Sequence, residues 1–465
     1  MYKWIKTLYL LLFFGLSVSA QSTKVFIQSI VITGNTKTSP EVILRELDFS
    51  VSDTLLLSNL ASTISVNEKR LLSTGLFTEA DINISKWNME NTVVDITIVV
   101  KEGWYIYPYV IFELADRNFN VWAKEFDYAI ERLNYGVALT HINFTGNKDK
   151  LKAKLQFGYT GKYELFYEFP YIKNGWGMTA NLLHSYNKEI NYTTLQNKPL
   201  FYKAEDERNL LKQWRASVAA TYRKDATTFH AAKLMYYLGE VDSYIVRELN
   251  PDYFLNGANL LRYFRFEYEF TLNKLHYPLY PVGGFYSRIL LRKDGFRENK
   301  NINNTSVSVE VSKFWNIGSS LIFSTSIRGK TNLQRNKIPY FLNQGLGYEG
   351  SSITGYQLYV VDGTDLFVSG NTVKYRIFQK DLNFKKWVPQ RLRPLNTQIF
   401  IRFNGDFGYV YEPHYFENNP LSNTFLFGYG PGIDVILLHN FVISADFSVN
   451  KNNEKGFFFS GGFQF

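Results

Sequence analysis

No cysteine occurs among the 465 residues of this chain, which excludes disulfides, a lipoprotein anchor and thiolate chemistry. Beyond residue 20 it also lacks any run of the roughly 20 apolar residues that a membrane helix requires. Catalytic patterns are missing as well. Its six histidines (His141, His184, His230, His276, His414 and His439) are scattered without zinc-ligand spacing, and no Gly-x-Ser-x-Gly elbow occurs. A hydrolase site around His184 would need Ser and a polar partner from adjacent strands, and a lone histidine at a strand edge is more often structural. Gly428-Tyr429-Gly430-Pro431-Gly432 is rich in glycine but opens no helix, so it is not read as a phosphate loop. The formal net charge of +9 is modest for this length and comes with no basic helix or nucleic-acid motif. These absences lead us to expect no enzyme, no cofactor, no metal and no nucleic-acid partner.

Aromatic residues are abundant instead, with 33 Tyr and 39 Phe at a mean hydropathy of −0.19. In Tyr263-Phe264-Arg265-Phe266-Glu267-Tyr268-Glu269-Phe270 the rings of Phe264, Phe266, Tyr268 and Phe270 share one strand face, while Arg265, Glu267 and Glu269 share the other. A soluble sandwich could use one such ribbon. Here the pattern recurs as far as Phe457-Phe458-Phe459-Ser460-Gly461-Gly462-Phe463-Gln464-Phe465, with long polar loops between, as in an antiparallel β-barrel in lipid. Residues 104–465 divide into about 16 strands, and an even number suits a closed bacterial barrel. At the N-terminus Lys3 and Lys6, then Leu8 to Leu16, then Val18-Ser19-Ala20 read as a cleavable secretory signal over residues 1–20.

Residues 21–103 differ from the rest. A strand ending in Val31-Ile32-Thr33 meets the turn Gly34-Asn35. A helix opens at Ser39-Pro40-Glu41 with Val42, Ile43 and Leu47 inward, and a second covers Leu60 to Leu72 with Ile64, Leu71 and Leu72 inward. Two strands close the unit around Ala80 to Ile84 and Val94 to Val100, giving the order β-α-α-β-β.

This unit resembles a POTRA domain, the periplasmic module of the outer-membrane insertase superfamily that includes BamA and TamA. The resemblance rests on Ile32-Thr33-Gly34-Asn35, on Leu72 through Gly75-Leu76-Phe77, and on the end of the last strand at Lys101-Glu102-Gly103. Further along, Gly350-Ser351-Ser352-Ile353-Thr354-Gly355-Tyr356 is similar to the superfamily's Val-Arg-Gly-Phe/Tyr loop, which folds into the lumen and pairs its Arg with acids on the wall. Gly355 and Tyr356 match, and Thr354 stands where the Arg is usual. Val373-Lys374-Tyr375-Arg376 resembles the Glu-x-Arg stretch with Lys374 in place of Glu, and Phe403-Asn404-Gly405-Asp406-Phe407-Gly408 resembles the Phe-x-Asp-x-Gly strand. Alternation puts Lys374, Arg376, Arg402, Asn404 and Asp406 inward, and Val373, Tyr375, Phe403 and Phe407 toward lipid. Since the loop has lost a cation and the wall has gained one, Lys374 is expected to be the positive partner of Asp406. The loop would then be held mainly by the backbone at Gly355 and the packing of Tyr356.

Pro281-Val282-Gly283-Gly284 also resembles the superfamily, and Ala115-Asp116-Arg117-Asn118-Phe119 resembles its single-POTRA members. The last strand, with Phe457, Phe459, Phe463 and Phe465 on one face, is similar to the C-terminal signal of outer-membrane barrels in general.

The resemblance implies a Gram-negative outer-membrane protein with its POTRA domain in the periplasm. It implies contacts with outer-membrane lipid, with unfolded or secreted client proteins and with periplasmic accessory proteins, and work done at a seam between the first and last barrel strands. On that orientation the turn at Gly146-Asn147-Lys148-Asp149 and the turn at Leu438-His439-Asn440 are periplasmic, and residues 189–208, 239–261 and 331–365 are extracellular loops. A dedicated secretion pore and a structural barrel in a larger complex are the alternatives. The basic segment near 379–395, with Lys385, Lys386, Arg391 and Arg393, is read as a solvated turn or a partner contact.

Overall fold

The computed structural model describes residues 23–88, 92–276, 280–296, 302–318, 320–348, 352–382, 395–437 and 441–463. The proposed signal segment, Lys385, Lys386, Arg391, Arg393, the turn at 438–440 and Phe465 lie outside the described residues. The described residues form two compact units, one made of those up to Tyr107 with His141–Asp149 and the other of Pro108–Thr140 with those from Lys150 onward.

In the first unit the elements run β1 (Lys24–Thr33), α1 (Pro40–Leu44), β2 (Thr54–Leu56), α2 (Leu57–Ser73), β3 (Phe77–Asn88) and β4 (Val93–Glu102). They form a sheet of order β2-β1-β4-β3 in which β1 and β4 are parallel. The alternating face of β4, with Val94, Ile96, Ile98 and Val100 fully buried, packs with Val25, Ile27, Ile43, Leu71 and Phe77. α1 is shorter than the sequence suggests, so Leu47 packs from the turn that follows it. Leu72 was expected inward and is instead 40% exposed, because a helical stripe centred on Leu60, Asn67 and Leu71 leaves the next residue about 100° away. The short edge strand β2 has no alternating signal of its own, and β1 recruits it by antiparallel pairing.

In the second unit, apart from the first two residues of β5 and the last two of β6, β5 (Ile106–Leu114) leads to α3 (Phe119–Glu125), and then come β6 (Leu133–Ile142), β7 (Lys150–Gly158), β8 (Thr160–Lys173) and β9 (Trp176–Asn187). A separate hairpin of β10 (Glu189–Leu195) and β11 (Lys198–Lys203) follows. The wall resumes with β12 (Leu211–Arg223), β13 (Thr228–Val241), β14 (Leu260–His276), β15 (Gly283–Asp294), β16 (Asn304–Ile317) and β17 (Leu321–Asn332). It ends with β18 (Asp365–Leu382), β19 (Leu395–Tyr411), β20 (Phe425–Leu437), β21 (Phe441–Asn450) and β22 (Lys455–Phe463). Without the hairpin these make a 16-stranded sheet whose order runs from β22 to β5.

Alternation decides which side of this sheet is which. Phe264 and Phe266 are exposed on the outside, as are Val373, Tyr375, Phe403 and Phe407. The inward charges pair across neighbouring strands: Arg292 Nε with Glu267 at 2.8 Å, Arg288 with Glu269 at 2.6 Å and Arg328 with Glu310 at 3.1 Å, while Arg265 pairs with Asp294. Charge on the lipid side of a barrel costs about 2–4 kcal/mol at the midplane, so this division fixes the strand register.

The long loops carry a core of their own. Ile190, Leu210, Val241, Ile245, Tyr253, Phe254 and Tyr340 are buried together at one end of the barrel. The β10–β11 hairpin reaches across them, with the Asn197 N–H donating to the Asn419 carboxamide oxygen at 2.8 Å and the Asn197 carbonyl accepting the Val360 N–H at 2.8 Å.

Candidate functional site

The loop between β17 and β18 turns back onto the inner wall at residues 352–356. Ile353 and Tyr356 are buried with Leu346, Val361, Leu366, Val410 and Leu426. Gly355 has φ +84°, a conformation that L side chains rarely adopt, and its carbonyl accepts Asn450 Nδ2 at 3.2 Å. The Tyr356 hydroxyl accepts Lys451 N–H at 3.4 Å. Two wall glycines make the approach possible. A Cβ at Gly428 would stand 1.8 Å from the Thr354 carbonyl oxygen, and one at Gly408 would stand 2.7 Å from Ile353 Cδ1. Gly408 of β19 and Gly428 of β20 therefore serve the loop, a role that neither glycine count nor alternation announces.

Asp406 faces this loop, and its partner is Thr354. Both the Thr354 N–H and its hydroxyl donate to Asp406 Oδ2, at 3.0 and 2.5 Å, and the Asn371 N–H donates to Oδ1 at 3.2 Å. The residue that replaces the expected Arg thus keeps the contact by hydrogen bonding. The expected pairing of Lys374 with Asp406 does not form. Register puts Gly370 opposite Asp406 and Lys374 opposite Arg402, four residues further along, or roughly 13 Å. Lys374 Nζ instead lies 4.1 Å from the centre of the Tyr280 ring, whose hydroxyl donates to Asp434 at 2.6 Å. Arg402 answers the acids here, at 2.7 Å from Asp446 and 3.0 Å from Asp434. Arg376 stands farther along β18 opposite Phe400, next to a bulge.

The other motifs fall in separate places. Phe457 and Phe459 are 63% and 51% exposed on the outer face of β22, and Phe463 is the last residue of that strand. In the first unit Gly34 has φ +86° and carries the chain across the end of β4, where a Cβ would meet the Val100 carbonyl oxygen at 1.9 Å. Asn35 Nδ2 donates to the Thr38 carbonyl at 2.9 Å, Gly75 follows α2, and Phe77 is buried in the core.

Sequence reasoning flagged Arg117 and Asn118 and missed their neighbours Asn120 and Lys124. Arg117 donates to the Gly347, Tyr359 and Leu358 carbonyls at 3.2, 2.9 and 3.2 Å, and Asn118 Nδ2 donates to the Gln357 carbonyl at 2.9 Å. A cavity of about 650 Å³ lies between this segment, the loop at Thr354, the wall at Arg402, Asp406 and Asp446, and β22 at Phe459.

Residues 25–103 match the family described as "POTRA: Surface antigen variable number repeat". Over 94% of its length the chain superposes on 84% of BamA from Haemophilus ducreyi lacking POTRA domains 1-3, with a TM-score of 0.65 and 14% identity. Residues 25–103 thus match a POTRA model, and the chain shares the fold of that POTRA-and-barrel structure. The fold is also similar to that of CdiB from Acinetobacter baumannii, at a TM-score of 0.51 and 10% identity over 94% of this chain and 73% of that one. No curated protein sequence matches the chain. The 16-stranded antiparallel sheet and the small α/β unit before it are as the sequence suggests.

Proposed function

We propose that this protein assists the assembly, insertion or translocation of proteins at the Gram-negative outer membrane, with its POTRA domain in the periplasm. The observation that carries this reading is the sheet order. It ends at β5 on one side and β22 on the other, and among the described residues no ladder joins them. Unpaired strand edges recruit other strands through backbone hydrogen bonds, with alternate side chains giving selection. Gly456, Gly461 and Gly462 contribute no side chains to hold β22 in place. The free edge of β2 in the POTRA sheet offers the same chemistry to an unfolded client. This work needs no catalytic residue and no cofactor.

A dedicated secretion pore is the second reading, and the likeness to CdiB keeps it in view. The apolar loop core at one end of the barrel weighs against an open channel. Depleting the protein and taking a census of outer-membrane proteins separates the readings. Broad loss of barrels supports assembly, loss of one exported product supports a pore, and no change would leave a structural role.

A further inference from the structure

The edge of β22 that the sheet leaves unpaired is covered by a side chain acting as a strand. In an antiparallel ladder a hydrogen-bonded residue exchanges both its N–H and its C=O with one neighbour, and the next residue turns both groups to the other side. β21 takes one side of β22. On the opposite side the carboxamide of Asn120, in α3, accepts the Phe459 N–H at 2.8 Å and donates to the Phe459 carbonyl at 3.1 Å. Two residues back, in the same phase, the Phe457 carbonyl accepts Lys124 Nζ at 3.0 Å. The same ammonium lies 4.5 Å from the centre of the Phe458 ring.

Asn120 is buried, and a primary amide is the side chain that reproduces a peptide's paired donor and acceptor. We propose that α3 is an internal latch. It occupies the backbone groups of Phe457 and Phe459 that an added strand would use, and it must leave before an extended client segment can pair there. The occupant that fits is a strand with alternating aromatic residues, since the outer face of β22 presents Phe457 and Phe459. Arg117 and Asn118 bind the turn before α3 to the carbonyls of Gly347, Gln357, Leu358 and Tyr359. The loop carrying Thr354 and the latch on the seam are thereby parts of one assembly. This proposal rests on strand addition at the seam.

The test uses the full-length chain in phosphatidylethanolamine–phosphatidylglycerol vesicles, as parent and as Asn120→Leu, Asn120→Ala and Lys124→Met, each checked for folding by heat-modifiable gel mobility. The probe is a peptide with the sequence of residues 455–465 carrying a photoreactive group at the Phe457 position. Amide exchange in 455–463 is expected to quicken about tenfold in the Asn120 variants, the loss of about one hydrogen bond's protection. Peptide capture on that strand is expected to rise several-fold. Unchanged exchange in both Asn120 variants overturns the latch. Capture by the parent as strong as by the variants overturns the gating role and leaves strand addition standing. Faster exchange with no capture by any variant overturns strand addition itself, and the gate with it, leaving α3 a brace.

Discussion

At Asp406 a carboxylate takes hydrogen bonds from the hydroxyl and N–H of Thr354 and from the Asn371 N–H, and a hydrogen bond to a charged group contributes about 1.5–3 kcal/mol. Thr354→Val keeps the shape and the backbone bond but removes the hydroxyl. We expect a stability loss of about 1.5–3 kcal/mol, read from the urea midpoint of the folded band on unheated gels, and strong coupling to Asp406→Asn in a double-mutant cycle. Lys374→Met and Asp406→Asn should add within about 0.5 kcal/mol, because separated sites without shared partners are independent. Coupling between those two would restore the pairing that the register excludes. In the POTRA domain, partial burial alone would raise the Glu102 carboxyl. Hydrogen bonds from Thr36, Thr38 and Lys37 outweigh it and hold the pKa at about 2, against an ordinary 4.5. The sign follows from linkage: this contribution is fully present above the unfolded value and is lost as pH falls through the folded one. Between pH 4.5 and 2, thermal stability of the domain should therefore fall less steeply in Glu102→Gln than in the parent, measured by near-UV circular dichroism.

Among the elements, the wall strands were legible because lipid and a wet lumen impose a period of two on every one of them. The β10–β11 hairpin was not, since it stands off the wall in a stretch read as a loop, and its pairing is fixed by neighbours distant in sequence. The loop motif at Ile353, Thr354, Gly355 and Tyr356 was found in the sequence, but its seat was not. That seat depends on glycines of β19 and β20 that share no local pattern with it. Gly428→Ala should displace the loop, because the added methyl would meet a backbone oxygen rather than a movable side chain. Limited proteolysis of the folded barrel is expected to open new cuts near residues 352–356, and a parent-like digestion pattern would show that the wall can yield.

At the scale of the whole barrel, the loop core around Tyr253, Phe254 and Tyr340 is expected to act as a cap. The hairpin holds it through Thr194, whose hydroxyl lies 2.9 Å from that of Tyr340, and through Asn197. Replacing residues 190–202 with a short Gly-Ser linker should raise single-channel conductance in planar bilayers well above that of the parent. Equal conductance would mean that the lumen is closed elsewhere, for instance by the loop at Thr354.

The sequence alone determined the barrel, its strand phase and the POTRA unit, because each of these follows from alternation and turn chemistry that act over a few residues. The tertiary structure decided who partners whom inside. Asp406 meets Thr354 and not Lys374, Gly428 admits a loop, and Asn120 stands in for a strand at the edge of β22. Those choices depend on the stagger of neighbouring strands and on residues hundreds of positions apart, which no local pattern encodes.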